Sequence, residues 1–433
     1  MIRITRAFRL KIIFLCCFAF VNYSFAKADG LPIEFQDTLS YNEYKGGIID
    51  EKTKEPLVFA SLVVANTNIS TVTNSEGQFI LKVPKVSGSD QIIVTFLGYQ
   101  ERWIKISELK EDENVIALTM LITELPEVMV GEANDPAVLV KNMLASIPEN
   151  YLNYPTLMTA FYRETIKKRR RNVSLAEAVI RIHKEPYASS REDIISLYKA
   201  RKRTDYERLD TLTLKLQGGP YNPLHLDLMK YPEYVFSDLF MSYYDFEMDK
   251  STRINDKLVY VVRFKQKPNV VTPLYYGKLF IDAETYALVT GVYNLNVENR
   301  KVASDLLVRK KPGNAKVYPV EALYRVDYRQ KNGKWYYGHS NVQLEFKINW
   351  KRRLFNSVFT LQSEMAVTNW KKEEGKENRP KGKERLKKTV IIPDEADGFL
   401  DPEFWGAYNL IEPEKSIEAA IRKISKKIER DKK

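Results

Sequence analysis

Cysteine and histidine are scarce in this sequence, with two and three residues among 433. Cys16 and Cys17 both lie in the first apolar run. A chain cleaved after that run carries no disulfide, no thiol nucleophile and no cysteine metal site. A zinc carboxypeptidase needs a His three residues before a Glu, but Pro186, Leu228 and Val342 stand at that offset from His183, His225 and His339. The nearest approach to a serine-hydrolase elbow, Gly338-His339-Ser340-Asn341-Val342, lacks the closing glycine. Asp394, Asp397 and Asp401 surround Gly398 without the alternating oxygen ligands of a calcium loop, and Asp401-Pro402 reads as a helix start. Long apolar runs are missing too, since Ile12 to Val21 is too short to cross a bilayer. These absences leave no catalytic residue, metal ligand or cofactor site to nominate. The expectation is a protein that is not an enzyme and binds no cofactor.

Arg3, Arg6, Arg9 and Lys11, with no acid among them, precede that apolar run, and small residues follow at Ser24, Ala26 and Ala28. This is the pattern of a secretory signal peptide over residues 1–28. Neither cysteine has the Leu-small-small context of a lipoprotein signal, so no lipid anchor is expected. Cleavage would remove five of the formal +12 charges, leaving about +7. An exported protein of that charge meets acidic headgroups and glycans, not nucleic acid.

The 26 tyrosines and 20 phenylalanines favour sheet. From about Lys45 to Leu125, short apolar runs alternate with turn residues every eight to twelve positions, the pattern of a small seven-stranded β-sandwich. Its strands fall at Gly46 to Asp50, Leu57 to Ala65, Gln78 to Val83, Gln91 to Leu97, Trp103 to Ile106 and Val115 to Met120. Asn74-Ser75-Glu76-Gly77 reads as a hairpin turn, and Phe79, Leu81 and Val83 share one face. Gly47-Ile48-Ile49-Asp50, Thr53, Pro56-Leu57, Asn74, Gly77 and Gly98-Tyr99 stand in the order found in the carboxypeptidase regulatory-like domain, which this stretch resembles. The resemblance implies a transthyretin-like (prealbumin-like) fold and an accessory module, not the part of a peptidase that cuts.

Residues 126–150 read as a linker and helix, with Asp135 capping and Pro136 in the first turn. The strings Asn150-Tyr151, Phe161-Tyr162-Arg163-Glu164, Glu177-Ala178-Val179 and Gly218-Gly219-Pro220 resemble an uncharacterised family of exported, outer-membrane-associated proteins that pairs such a region with the regulatory-like domain. Over 151–370 the pattern is a long antiparallel meander in an α+β domain, with tight turns at Asp282 to Thr285 and Lys331 to Lys334. Its Tyr276 to Asp282 phrase resembles the half-open barrel of periplasmic lipoprotein carriers. Residues 371–390 read as a charged, solvated loop, and 391–433 as a helical segment whose Ile417, Ile421, Ile424 and Ile428 form an amphipathic stripe.

Candidate ligand-binding residues are aromatic: Tyr243, Tyr244, Tyr275, Tyr276, Trp335 and Tyr337. Neighbours along a strand point to opposite faces, so each cluster should put one ring in the core and another on the opposite surface, where it could line an apolar or glycan-stacking cleft. Asp245, Glu247 and Asp249 should share a solvated strand face. The triplets Asp37-Thr38-Leu39 and Asp210-Thr211-Leu212 resemble a short O-glycosylation acceptor motif. The expected function is an exported binding or interaction module in the periplasm, at the outer membrane or on the cell surface, peripheral to the membrane at most. Its expected partners are a lipid or glycan ligand and an outer-membrane protein. A hydrolase with loop-borne residues and a scaffold partner of an outer-membrane assembly are the alternatives.

Overall fold

The computed structural model describes residues 40–414 except 86–87, 122–134, 170, 205–215, 255–256, 309–310, 312, 352–355, 376–378 and 399–403. The signal segment, both Asp-Thr-Leu triplets, Asp401-Pro402 and the isoleucine stripe lie outside the described residues. Seven strands build the N-terminal domain: β1 (Tyr41–Asp50), β2 (Ser61–Val64), β3 (Ser70–Val72), β4 (Gln78–Pro84), β5 (Gln91–Thr95), β6 (Arg102–Lys105) and β7 (Asn114–Leu118). They form two sheets, β4-β1-β7 and β3-β2-β5-β6. Six lie where the alternation predicts them, and the seventh, β3, is three residues long and too short to display a period.

Phe79, Leu81 and Val83 turn inward onto Ile48, Leu62, Ile92 and Val94. Asn74 to Gly77 joins β3 to β4, which belong to different sheets, so the expected hairpin is a corner between sheets. Gly77 has φ +71°, and a Cβ there would lie 2.6 Å from Pro56 Cβ. Asp50 closes β1: Oδ1 accepts the Lys52 and Thr53 N–H groups at 2.8 and 2.6 Å, and Oδ2 accepts the Tyr99 hydroxyl at 2.8 Å. Three residues that carry the regulatory-like resemblance thus form one hydrogen-bonded unit.

Asp135 Oδ1 caps the helix Pro136–Ala145 through Ala137 N–H at 2.8 Å, as the Asp-Pro pair predicts. A third, larger sheet follows, made of β8 (Thr156–Lys168), β9 (Arg171–Lys184), β10 (Ile194–Thr204), β11 (Tyr244–Ile254), β12 (Lys257–Gln266), β13 (Tyr275–Asp282), β14 (Leu288–Leu295), β15 (Ala315–Lys331), β16 (Lys334–Trp350), β17 (Ser357–Lys372) and β18 (Asp397–Gly398). Their order is β11-β12-β13-β14-β15-β16-β17-β8-β9-β10-β18. Neighbours are antiparallel except the two-residue β10/β18 pair. The meander is therefore present, and the sheet ends in two edges without closing. Asn332 (φ +51°) and Gly333 (φ +74°) make the tight β15/β16 turn, the double left-handed geometry that suits right-twisted strands.

One face of this sheet, the inner face, carries most of the large core. The helix Pro136–Ala145 contributes Leu139, Val140 and Met143, and the segment 221–236 contributes Tyr221, Leu224 and Phe236. On the outer face, over β8, β9 and β17, lies the segment 404–414, with the sandwich packed against it. Trp405, Tyr408, Leu410 and Ile411 cluster with Phe161, Val179 and Ala366 of the sheet and with Val72 and Ile80 of the sandwich. This explains why β4 is buried on both faces although its sequence alternates. Asn409 exchanges two hydrogen bonds with the Lys82 backbone at 2.7 and 2.9 Å, and Thr71 Oγ1 donates to Leu410 O at 2.9 Å. Arg329 reaches from β15 to Ser70 Oγ, Thr71 O and Val367 O, joining the domains directly.

The charged run is not a free loop. Lys371 and Lys372 end β17, Glu373 pairs with His183 at 2.5 Å, and Arg379 bridges Glu373 and Glu185. The buried carboxylates offer the run's cations a partner that composition alone does not reveal.

Candidate functional site

The predicted aromatic residues divide between core and surface. Tyr244 is buried, and its hydroxyl accepts the Tyr275 N–H at 3.4 Å. Tyr243 and Tyr275 are half-buried against the same core, Tyr275 standing edge-on to Tyr293 at 5.5 Å. Tyr276 points the other way and is 46% exposed. Trp335 and Tyr337 are buried, and so is Tyr336 between them. That cluster does not split into core and solvent because the outer face is covered there, with Tyr336 packed on Trp370 at 5.1 Å.

On the inner face, at the end of β9, Lys184 Nζ lies 2.7 Å from both Asp193 Oδ2 and Asp227 Oδ2. The Tyr187, Tyr231 and Tyr337 rings surround it at 4.9 to 5.9 Å. Tyr328 donates to Asp227 Oδ1 at 2.8 Å, and Tyr337 bonds Ser340 Oγ at 2.5 Å. Burial alone would lower the Lys184 pKa, but the two aspartates outweigh it and raise the value. Burial pushes Tyr187, Tyr328 and Tyr337 well up. The lysine stays charged and the phenols stay protonated, so the cluster holds no activated nucleophile. Physically it is a tie that draws the segment 221–231 onto the sheet.

The other polar groupings behave similarly. Asp327 accepts from Arg325 at 2.8 Å and meets His339 Nδ1 at 3.0 Å. Burial would raise its pKa, yet these two partners hold it well below the usual carboxylate range. Ser340, next to His339, points to the opposite face and donates to Pro223 O at 2.8 Å, so the two cannot work as nucleophile and base. Glu247 and Asp249 pair across the strands with Lys265 at 3.3 Å and Lys278 at 2.8 Å, on the solvated face predicted for them. Among the described residues no three His, Cys, Asp or Glu side chains are grouped to hold a metal ion.

An open cleft of about 780 Å³ lies on the outer face where the sandwich does not cover it. Strand register places Tyr276 beside Lys265 on one side and Asn294 on the other. Arg300, at the start of the helix Arg300–Leu307, and Lys347 on β16 complete the cationic lining with Lys265; Glu298 is the acid and Pro319 adds apolar surface. A second pocket of about 440 Å³ adjoins it, shares Gln266, Asn296 and Glu298, and extends to Val271, which is 74% exposed. Of the six predicted aromatics, Tyr276 lines this cleft. Its other residues escaped sequence reasoning, because four separate segments supply them and none carries a motif.

Residues 44–130 match the family model of the CarboxypepD_reg-like domain. Over 81 residues the chain is 31% identical to the TonB-dependent receptor SusC of Bacteroides thetaiotaomicron, an alignment covering 18% of this chain and 8% of the receptor. The chain thus spans under a tenth of that curated relative's length. Among solved structures, an outer membrane lipoprotein-sorting protein domain from Vibrio parahaemolyticus aligns with 56% of this chain and 94% of its own, at 11% identity and TM-score 0.25. A LolA superfamily protein from Nitrosomonas europaea aligns with 56% of this chain and 97% of its own, at 9% identity and TM-score 0.22. No helix among the described residues is long and apolar enough to cross a membrane.

Proposed function

We propose that this chain is a non-catalytic binding protein of the cell envelope that works through its outer surfaces. The observation that carries this reading is the filled inner face. A lipid, hydrophobic chain or glycan held there would have to displace Tyr151, Tyr162, Tyr293 and Tyr337, all fully buried, and break the Lys184 tie. Opening that tie would strand buried charge, at a cost of about 3–5 kcal/mol. The signal-peptide pattern and the regulatory-like match over 44–130 support an exported setting in the periplasm, at the outer membrane or on the cell surface. The local identity to a TonB-dependent receptor supports an outer-membrane protein as the class of partner.

The test is native mass spectrometry of the mature protein purified from its own envelope, followed by organic extraction. A mass equal to the bare chain is expected. A stoichiometric lipid released on extraction would overturn the proposal and return the inner face to a carrier role.

A further inference from the structure

We infer that the outer-face cleft is a binding site for an acidic glycan, a sugar chain bearing carboxylate or sulfate groups. The inference rests on the reading that this protein binds through its outer surfaces. Three cations, Lys265, Arg300 and Lys347, face one acid, Glu298, so the cleft favours an anion. The cations are not locked in place. Lys265 meets Glu247 at 3.3 Å with both side chains more than half exposed, a solvent-screened pair that exchanges readily for another anion. Arg300 lies 4.9 Å from the Tyr318 ring, which orients its guanidinium without using its hydrogen-bond donors.

A free phosphate or a metabolite the size of one sugar ring would fill only part of a cleft of about 780 Å³. The 780 Å³ cleft runs into the 440 Å³ pocket through shared residues, giving an open trough suited to a chain that enters and leaves. Tyr276 supplies an exposed ring on a rigid strand, beside Lys265 in register. A pyranose can stack its C–H face on that ring while the flanking lysine takes its charged substituent. Gln266 is committed elsewhere: its Oε1 accepts Leu274 N–H at 2.8 Å and its Nε2 donates to Val270 O, which shapes the loop forming the trough's far wall. The site is therefore built from strand residues and a braced loop, not from a chance surface patch.

The experiment titrates the full mature chain with heparin hexasaccharide, hexagalacturonate, neutral maltohexaose, and vesicles of three parts phosphatidylcholine to one part phosphatidylglycerol, read by calorimetry and native mass spectrometry. At least one acidic hexasaccharide should bind saturably and maltohexaose should not. Tyr276→Ala and Lys347→Glu should each weaken binding about tenfold, and raised salt should weaken it further. Thermal melting of both variants should match the parent, since both side chains lie at the surface. Failure of both acidic sugars to bind, equal binding of maltohexaose, or binding unchanged in both variants overturns the inference. Vesicle binding without sugar binding overturns it in favour of a lipid surface. A lipid adduct in the same mass spectra would instead sink the proposed function and leave the cleft result standing, so the two failures are distinguishable.

Discussion

Glu164 is a buried carboxyl with no cation paired to it among the described residues. It sits on β8 between Ser363 of β17 and Ala176 of β9, and the Tyr162 hydroxyl donates to it at 2.6 Å. Its neighbour Arg163 points to the other face, where Glu177 takes it at 2.7 Å. Burial pushes the Glu164 pKa from 4.5 up to about 7; the Tyr162 hydrogen bond opposes the rise and Asp394 adds to it. A carboxyl whose folded pKa is raised keeps its proton longer in the folded chain than in the unfolded one. Stability is therefore lost as pH climbs from about 4.5 to about 7, by roughly 1.4 kcal/mol per pH unit and about 3 kcal/mol in all. Glu164→Gln keeps an acceptor for Tyr162 and cannot ionise. Urea unfolding of parent and variant at pH 4.5, 6 and 8 reads the effect, and subtracting one from the other removes every other titrating group. The variant should gain about 3 kcal/mol on the parent between pH 4.5 and pH 8. A difference that stays flat across that range would refute the reasoning, since it would mean the carboxyl ionises freely in the folded chain.

Lys184→Met leaves Asp193 and Asp227 facing each other unneutralised in the core and should cost about 3–5 kcal/mol in urea unfolding; a loss under about 1 kcal/mol would show that the tie is solvated. Arg329→Ala removes the direct link from β15 to Ser70, Thr71 and Val367, so hydrogen exchange should quicken at 70–72 and 404–411 while the Phe79 to Val83 core stays protected. Gly77→Ala places a Cβ 2.6 Å from Pro56 at a positive φ and should lower stability by about 1–3 kcal/mol, seen as a drop in Tm. An unchanged Tm would mean that the corner between β3 and β4 relaxes.

Local chemistry was legible wherever one segment carries it. The Asp135-Pro136 helix start, the Asn332-Gly333 turn and the inward alternation of Phe79, Leu81 and Val83 need only neighbouring residues, because capping, left-handed turns and two-residue periodicity act over a few bonds. The acidic face of β11 was readable for the same reason, since Asp245, Glu247 and Asp249 alternate in sequence. β8 and β17 were harder to read. The inner-face core covers them on one side and the 404–414 segment on the other, so Phe161 and Tyr162 are both buried and the alternation that marks a strand is lost.

The periodicities, the turns, the likeness of 44–130 to a regulatory-like domain and the lack of a metal-ligand or hydrolase motif are written in the linear order of residues. Which charges are paired and which rings are covered follows from how distant segments pack. Lys184, Asp193 and Asp227 come from three segments, and Lys265, Arg300 and Lys347 from three more. Whether a lysine becomes a buried tie or an open ligand contact depends on desolvation and on which acids the fold brings within a few ångströms of it. Those distances are set by long-range strand register and by the packing of the sandwich on the sheet, and a linear pattern does not encode them.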